Sequence, residues 1–136
     1  MSIGEKQARA LIDRAIAKAR EMDRKISVAV VDSSGYLVAL TRMDGAGFLT
    51  PQIAEAKAFS AAAWGVPTTK IAERARARME TFQAFTNIGR TKLIPGQGGR
   101  PVTNGSSVIG ALGVSGASGD EDEAMCAYAL DAPSGS

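Results

Sequence analysis

The stretch Ile26-Ser27-Val28-Ala29-Val30-Val31-Asp32-Ser33-Ser34-Gly35-Tyr36-Leu37-Val38-Ala39-Leu40-Thr41-Arg42 decides the fold. Its first part is short and β-branched, which reads as a strand over 26–32. The run Tyr36 to Arg42 reads as a second strand, and Ser33, Ser34 and Gly35 between them are turn residues. Two strands joined this closely pair antiparallel, because a parallel crossover needs a dozen or more residues. A second hairpin follows from Pro101-Val102-Thr103 and Ser107 to Val114, which flank the turn dipeptide Asn104-Gly105.

Helices fill the remaining sequence. Ala8, Leu11, Ile12, Ala15, Ile16 and Ala19 recur at helical spacing, which predicts an amphipathic helix from about Gly4 to Met22. Ser2 and Glu5 make a capping-box pattern ahead of it. Thr50-Pro51 predicts a helix start, with Thr50 as N-cap, and Gly65 stops the alanine-rich run that ends at Ala63. Pro67-Thr68-Thr69 opens another helix, which carries Arg74, Arg76 and Arg78. The pattern weakens from Phe82 to Pro95, and this stretch reads as irregular. Asp120, with Glu123 three residues on, predicts the cap of a last helix running to about Leu130. The order is helix, hairpin, two helices, hairpin, helix: an α+β domain with an antiparallel sheet, not a Rossmann crossover. One domain over 1–131 and a disordered tail over 132–136 are expected.

Composition excludes several functions. The chain has 136 residues, a formal charge of +2 and 22% charged residues, too little basic excess to argue for nucleic acid. No apolar stretch is long enough to span a bilayer, and the N-terminus lacks a signal-like apolar core, so no membrane partner and a cytoplasmic location are expected. The single cysteine, Cys126, allows no intramolecular disulfide. There is no histidine, which removes His-based acid–base catalysis, Ser-His-Asp triads and His-ligated zinc or haem within the chain. Aromatics are 5%, so the core must use small aliphatic side chains that bury little area each. Some burial is therefore expected from partner subunits.

Three ordered segments resemble one family. They are Val30-Val31-Asp32-Ser33-Ser34-Gly35-Tyr36-Leu37-Val38-Ala39 leading to Arg42-Met43-Asp44-Gly45-Ala46; Ala54-Glu55-Ala56-Lys57-Ala58 with Ser60-Ala61-Ala62; and Gly98-Gly99-Arg100-Pro101-Val102 leading through Val108 to Gly116 and Asp120-Glu121-Asp122-Glu123. Together they resemble the GlcG/HbpS family, which includes the C-terminal domain of PduO-type proteins. The resemblance implies a profilin-like, three-layer α/β/α arrangement: about five antiparallel strands with helices on both faces. It also implies homo-oligomers, dimers or higher, that bind small molecules. Several members bind haem, and others sit beside glycolate or aromatic-acid catabolism. With no histidine here, Thr, Tyr, Met, Cys or Lys would have to hold the iron, and no spacing singles one out.

Lys57 stands in an apolar helical stripe with Ile53, Ala54, Ala58 and Ala61, an unusual place for a lysine. Two readings are balanced. It either snorkels out or pairs with Asp44 or Glu55, or it holds an anion or acts as a base. Arg42 ends a strand beside a loop, where it either pairs with Asp44 or Asp32 or clamps a carboxylate. Gly98 and Gly99 either make a tight connection or bring backbone N–H groups to an anion. On the binding reading, Arg42, Lys57, Gly98 and Gly99 form one anion-accepting wall for a small organic acid or haem. The alternative is a cofactor-independent enzyme acting on a small organic acid. There Lys57 is the base, Arg42 the carboxylate clamp, and Asp44 or Glu55 the proton shuttle. No metal site is expected: consecutive helical residues Glu121, Asp122 and Glu123 cannot all face one ion, and they read as a solvated helix face. Arg74 and Arg78 share a face that reads as solvated or interfacial.

Overall fold

The computed structural model describes residues 1–90 and 93–131. The first hairpin is β1 (Ser27–Asp32) with β2 (Leu37–Arg42), and the second is β3 (Gly99–Asn104) with β4 (Ser107–Ser115). They join through an antiparallel β1–β4 pairing into one sheet of order β2-β1-β4-β3. The described sheet thus has four strands rather than about five, all supplied by the two hairpins.

Both faces are covered. Helices α1 (Glu5–Glu21) and α5 (Gly119–Leu130) pack on each other and on one face, while α2 (Thr50–Trp64) crosses the other. Side-chain alternation along the strands assigns the residues to the two sides. Val28, Val30, Leu112 and Val114 enter the core beneath α1 and α5. Val31 and Ala111 meet Ala58 and Ala61 of α2 on the other side. Gly113, paired with Ala29, lets α2 lie close to the sheet, because a Cβ there would fall 2.0 Å from the Ala54 carbonyl oxygen. The α1 stripe is buried as its spacing predicts, from Ala8 to Ala19. Two short helices, α3 (Thr68–Ala77) and α4 (Met79–Phe85), connect α2 toward β3.

Local capping differs from the sequence reading. Ser2 does not cap α1. Its hydroxyl donates to the Ile109 carbonyl and accepts from the Ser33 N–H, tying the N-terminus to β4 and to the first turn. Thr50 is the first residue of α2 rather than its cap, and its hydroxyl donates to the Gly47 carbonyl. In α5 the capping box is formed by Ser118 and Glu121, two residues ahead of the pair that the sequence pattern picks out. Helix α4 occupies part of the stretch read as irregular. The tail over 132–136 lies outside the described residues.

Candidate functional site

Lys57 is 6% exposed, and its ammonium does not snorkel. Nζ donates to the Val114 carbonyl at 2.8 Å and to Asp122 Oδ2 at 3.1 Å. Its ionic partner is Asp122, not Asp44 or Glu55. Asp122 is 3% exposed, and its other oxygen accepts the Ala117 N–H at 2.9 Å. Burial pushes the Asp122 carboxyl above its ordinary range, while Lys57 and the Ala117 N–H pull it back. The pair bridges α2 and α5 past the end of β4, so one ion pair joins the two helical layers.

The glycine loop closes over this pair. Gly98 has φ +108°, and a Cβ there would stand 2.7 Å from the Val114 oxygen and 3.2 Å from Lys57 Nζ. The N–H of Gly98 donates to Glu123 Oε2 at 3.0 Å, and that of Gly99 to Thr68 Oγ1 at 3.0 Å. These two donors face the protein. The close approach of the backbone to α2 is what requires glycine here.

The acidic run is solvated only in part: Asp120 is exposed, whereas Asp122 is buried. Asp120 accepts from Gln97 Nε2, Glu121 pairs with Arg24 at 2.8 Å, Asp122 with Lys57, and Glu123 with Arg100. Successive residues point in different directions, and each finds its own partner. Among the described residues no group of three or more His, Cys, Asp or Glu could hold a metal ion.

Arg42 and Asp44 lie elsewhere. They line a cleft of about 360 Å³ with Ile16 and Arg20 of α1, Lys25, Thr41 and Met43. Arg42 Nε donates to the Ala46 carbonyl at 3.0 Å, which fixes the base of the guanidinium. This cleft is bordered by the end of α1 and does not include Lys57, although Arg42 stands opposite Ser27, whose hydroxyl meets Thr50 of α2. Glu55 lines a third depression with Gln52, Ile53, Ala56 and Ile94. The residues expected to line one site, as wall or as proton shuttle, therefore occupy three places. Arg42 and Asp44 are brought together, Lys57 sits under the Gly98-Gly99 backbone, and Glu55 stands apart.

Sequence comparison agrees with this architecture. A family model described as "Haem degrading protein HbpS-like" matches residues 3–131. The chain belongs to the HbpS-like family. Protein GlcG of Escherichia coli is 30% identical over 119 residues, covering 83% of this chain and 81% of that protein. A double mutant of Streptomyces reticuli HbpS is 33% identical and superposes with a TM-score of 0.83, over 96% of this chain and 86% of its own. A PduOC:heme complex has a TM-score of 0.86 at 22% identity, over 98% and 96% of the two chains, and that likeness speaks for the fold.

Within this HbpS-like chain, the sequence reading missed Asp122, Arg20 and Lys25. A signal existed for Asp122: it shares a helical stripe with Met125, Cys126 and Ala129, all of them fully buried. An acid on a buried stripe demands a buried counter-charge. Arg20 and Lys25 gave no comparable signal, since both are exposed and only the packing of α1 against the first hairpin brings them to Arg42.

Proposed function

We propose that the protein is a homo-oligomeric small-molecule-binding protein whose ligand is a small organic carboxylate, taken up in the cleft at the end of the first hairpin. The charge balance of that cleft carries the reading. Arg20, Lys25 and Arg42 are three basic residues among those lining about 360 Å³, and Asp44 is the one acidic residue among them. None of the three takes part in an ion pair among the described residues. Arg42, held at Nε by the Ala46 carbonyl, leaves the rest of its planar fork for bidentate capture of a carboxylate. The size suits a ligand of a few carbon atoms, near the small end of the range for binding sites.

Haem, the group that the family description names, fits these residues poorly. The chain has no histidine. Cys126 is fully buried, donates to the Leu112 carbonyl, and has its thiol pushed far up by burial. The rings of Tyr36 and Tyr128 are overlaid by Arg90 at 3.8 Å and by Arg14 at 4.8 Å. With no histidine and the one cysteine sealed in the core, the usual nitrogen and thiolate axial ligands are lacking.

The test is calorimetric titration with short hydroxy- and oxo-acids, and with haemin as a separate arm. Saturable binding of an acid is expected, weakened roughly tenfold or more by Arg42→Ala, the loss of a charged hydrogen-bonding partner. A second variant, Arg20→Gln with Lys25→Gln, leaves the Ala46 bond intact and should weaken binding in the same direction. Binding of no acid, or unchanged affinity in both variants, would defeat the proposal.

Asp44 in the same cleft supports the enzymatic reading as the alternative, since a carboxylate beside a clamped acid can accept a proton. Turnover of a bound acid, lost in Asp44→Asn with binding retained, would distinguish an enzyme from a binding protein. Self-association is supported by the apolar side chains on and beside edge strand β2: Leu37 is 48% exposed and Phe48 75%. Light scattering after size exclusion should give a dimer or larger. A monomer at micromolar concentration counts against it.

A further inference from the structure

A second cavity lies far from Arg42 in the chain, where α2 ends against α3 and α4. It measures about 320 Å³ and is lined by Trp64, Arg74, Arg78, Thr81, Phe82 and Phe85. Its floor is a small separate core in which Phe82 packs with Ile71 and Ala75. Trp64 meets Phe82 edge to face, with centroids 5.9 Å apart at 75°, and Phe85 likewise at 6.3 Å and 82°. Rings set nearly perpendicular leave faces and edges available to a further flat ring.

Two guanidinium groups border this aromatic slot. Arg74 lies over the Trp64 ring at 5.9 Å, and no carboxylate pairs with Arg74 or Arg78 among the described residues. Nearby Glu73 is paired instead with Lys70. An apolar slot with unneutralised cations at its rim asks for an occupant that is apolar at one end and anionic at the other.

We infer that this groove is a binding site for a planar aromatic carboxylate of one or two rings, with the ring against Trp64, Phe82 and Phe85 and the carboxylate on Arg78 and Arg74. The volume, about 320 Å³, stands near the lower limit of roughly 300 Å³ for small-molecule pockets and matches a ligand of one or two rings. The site is independent of the Arg42 cleft: it uses other elements and adds an aromatic requirement that the cleft lacks.

Trp64 is the chain's single tryptophan, so its fluorescence reports on this groove directly. The probe is 2-naphthoate, compared with neutral 2-naphthylmethanol and with cyclohexanecarboxylate. Saturable change in Trp64 emission with 2-naphthoate is expected, with each comparison compound roughly tenfold weaker or worse for want of the charge or the flat ring. Arg74→Gln with Arg78→Gln should weaken 2-naphthoate roughly tenfold or more, and Arg→Lys at both positions should restore part of it. Both arginines are exposed, so folding is not at risk. Arg42→Ala should leave the Trp64 response unchanged, which separates failure of this site from failure of the other cleft. The inference is overturned by no saturable response, by equal affinity in the double Gln variant, or by a Trp64 environment that alters on dilution of the oligomer but not with 2-naphthoate. The last result would mean that a second copy covers the groove.

Discussion

Lys57→Met is expected to destabilise the folded chain by about 3–5 kcal/mol at neutral pH. The substitution keeps the length and apolar stem of the side chain, so little is lost in packing. What changes is the fate of Asp122, which is left 3% exposed with an ionised carboxylate and only the backbone N–H groups of Gly116 and Ala117 beside it. The double variant Lys57→Met with Asp122→Leu should recover most of that loss, because the net worth of a buried pair is small compared with the cost of orphaning one member. The pH dependence has a definite sign. Burial already raises the Asp122 carboxyl, and losing Lys57 removes the largest influence opposing that rise. A raised carboxylate contributes stability that is complete below its unfolded value of about 4 and is lost as pH climbs through the folded value. The deficit of Lys57→Met should therefore shrink as the solution is acidified. Denaturant titration of the three proteins across that range checks this. A deficit below about 1 kcal/mol, or one indifferent to pH, would show that the pair is hydrated.

The second large effect is expected at Gly113. Here the hydrogen of glycine faces the α2 backbone, and a methyl group would sit 2.0 Å from the Ala54 oxygen and 2.8 Å from the Ala58 nitrogen. Backbone atoms cannot rotate aside as a side chain can, so α2 must lift from the sheet. Gly113→Ala should cost about 3 kcal/mol or more, the upper end of overpacking effects. Because α2 also carries Lys57, the lift should strain the ion pair with Asp122. Gly105→Ala makes a useful control. Nothing lies within 4 Å of a Cβ there, and only the strain of φ +64° is added. If Gly113→Ala unfolds at the denaturant midpoint of the parent, the close contact of helix and sheet described above is wrong.

The hairpins and the first helix were legible because their signals are local. A short β-branched run and a Gly-containing turn fix β1 and β2 without reference to anything distant, and the 3.6-residue stripe of α1 names its own buried face. Helix α4 was not legible. Its seven residues are too few to display a period, and it is held by Phe82 reaching Ile71, Ala75 and Trp64. The cap of α5 was misread by two residues because acids stand at four consecutive positions, each a plausible partner in the pattern. The reciprocal hydrogen bonds between Ser118 and Glu121 distinguish them.

The candidate site divided along the same line. From the sequence alone, Lys57 was anomalous and Arg42 well placed, and the lack of histidine excluded whole classes of chemistry. Folding then decided how these residues group. Lys57 meets a carboxylate 65 positions away, while Arg42, only fifteen positions away in sequence, lines a separate cleft at the end of the first hairpin. Side-chain type and spacing determine which face of a helix or strand is apolar, since that depends on near neighbours. Which charges meet depends on how the layers stack, and this is set by the sum of many weak apolar contacts that no single segment contains.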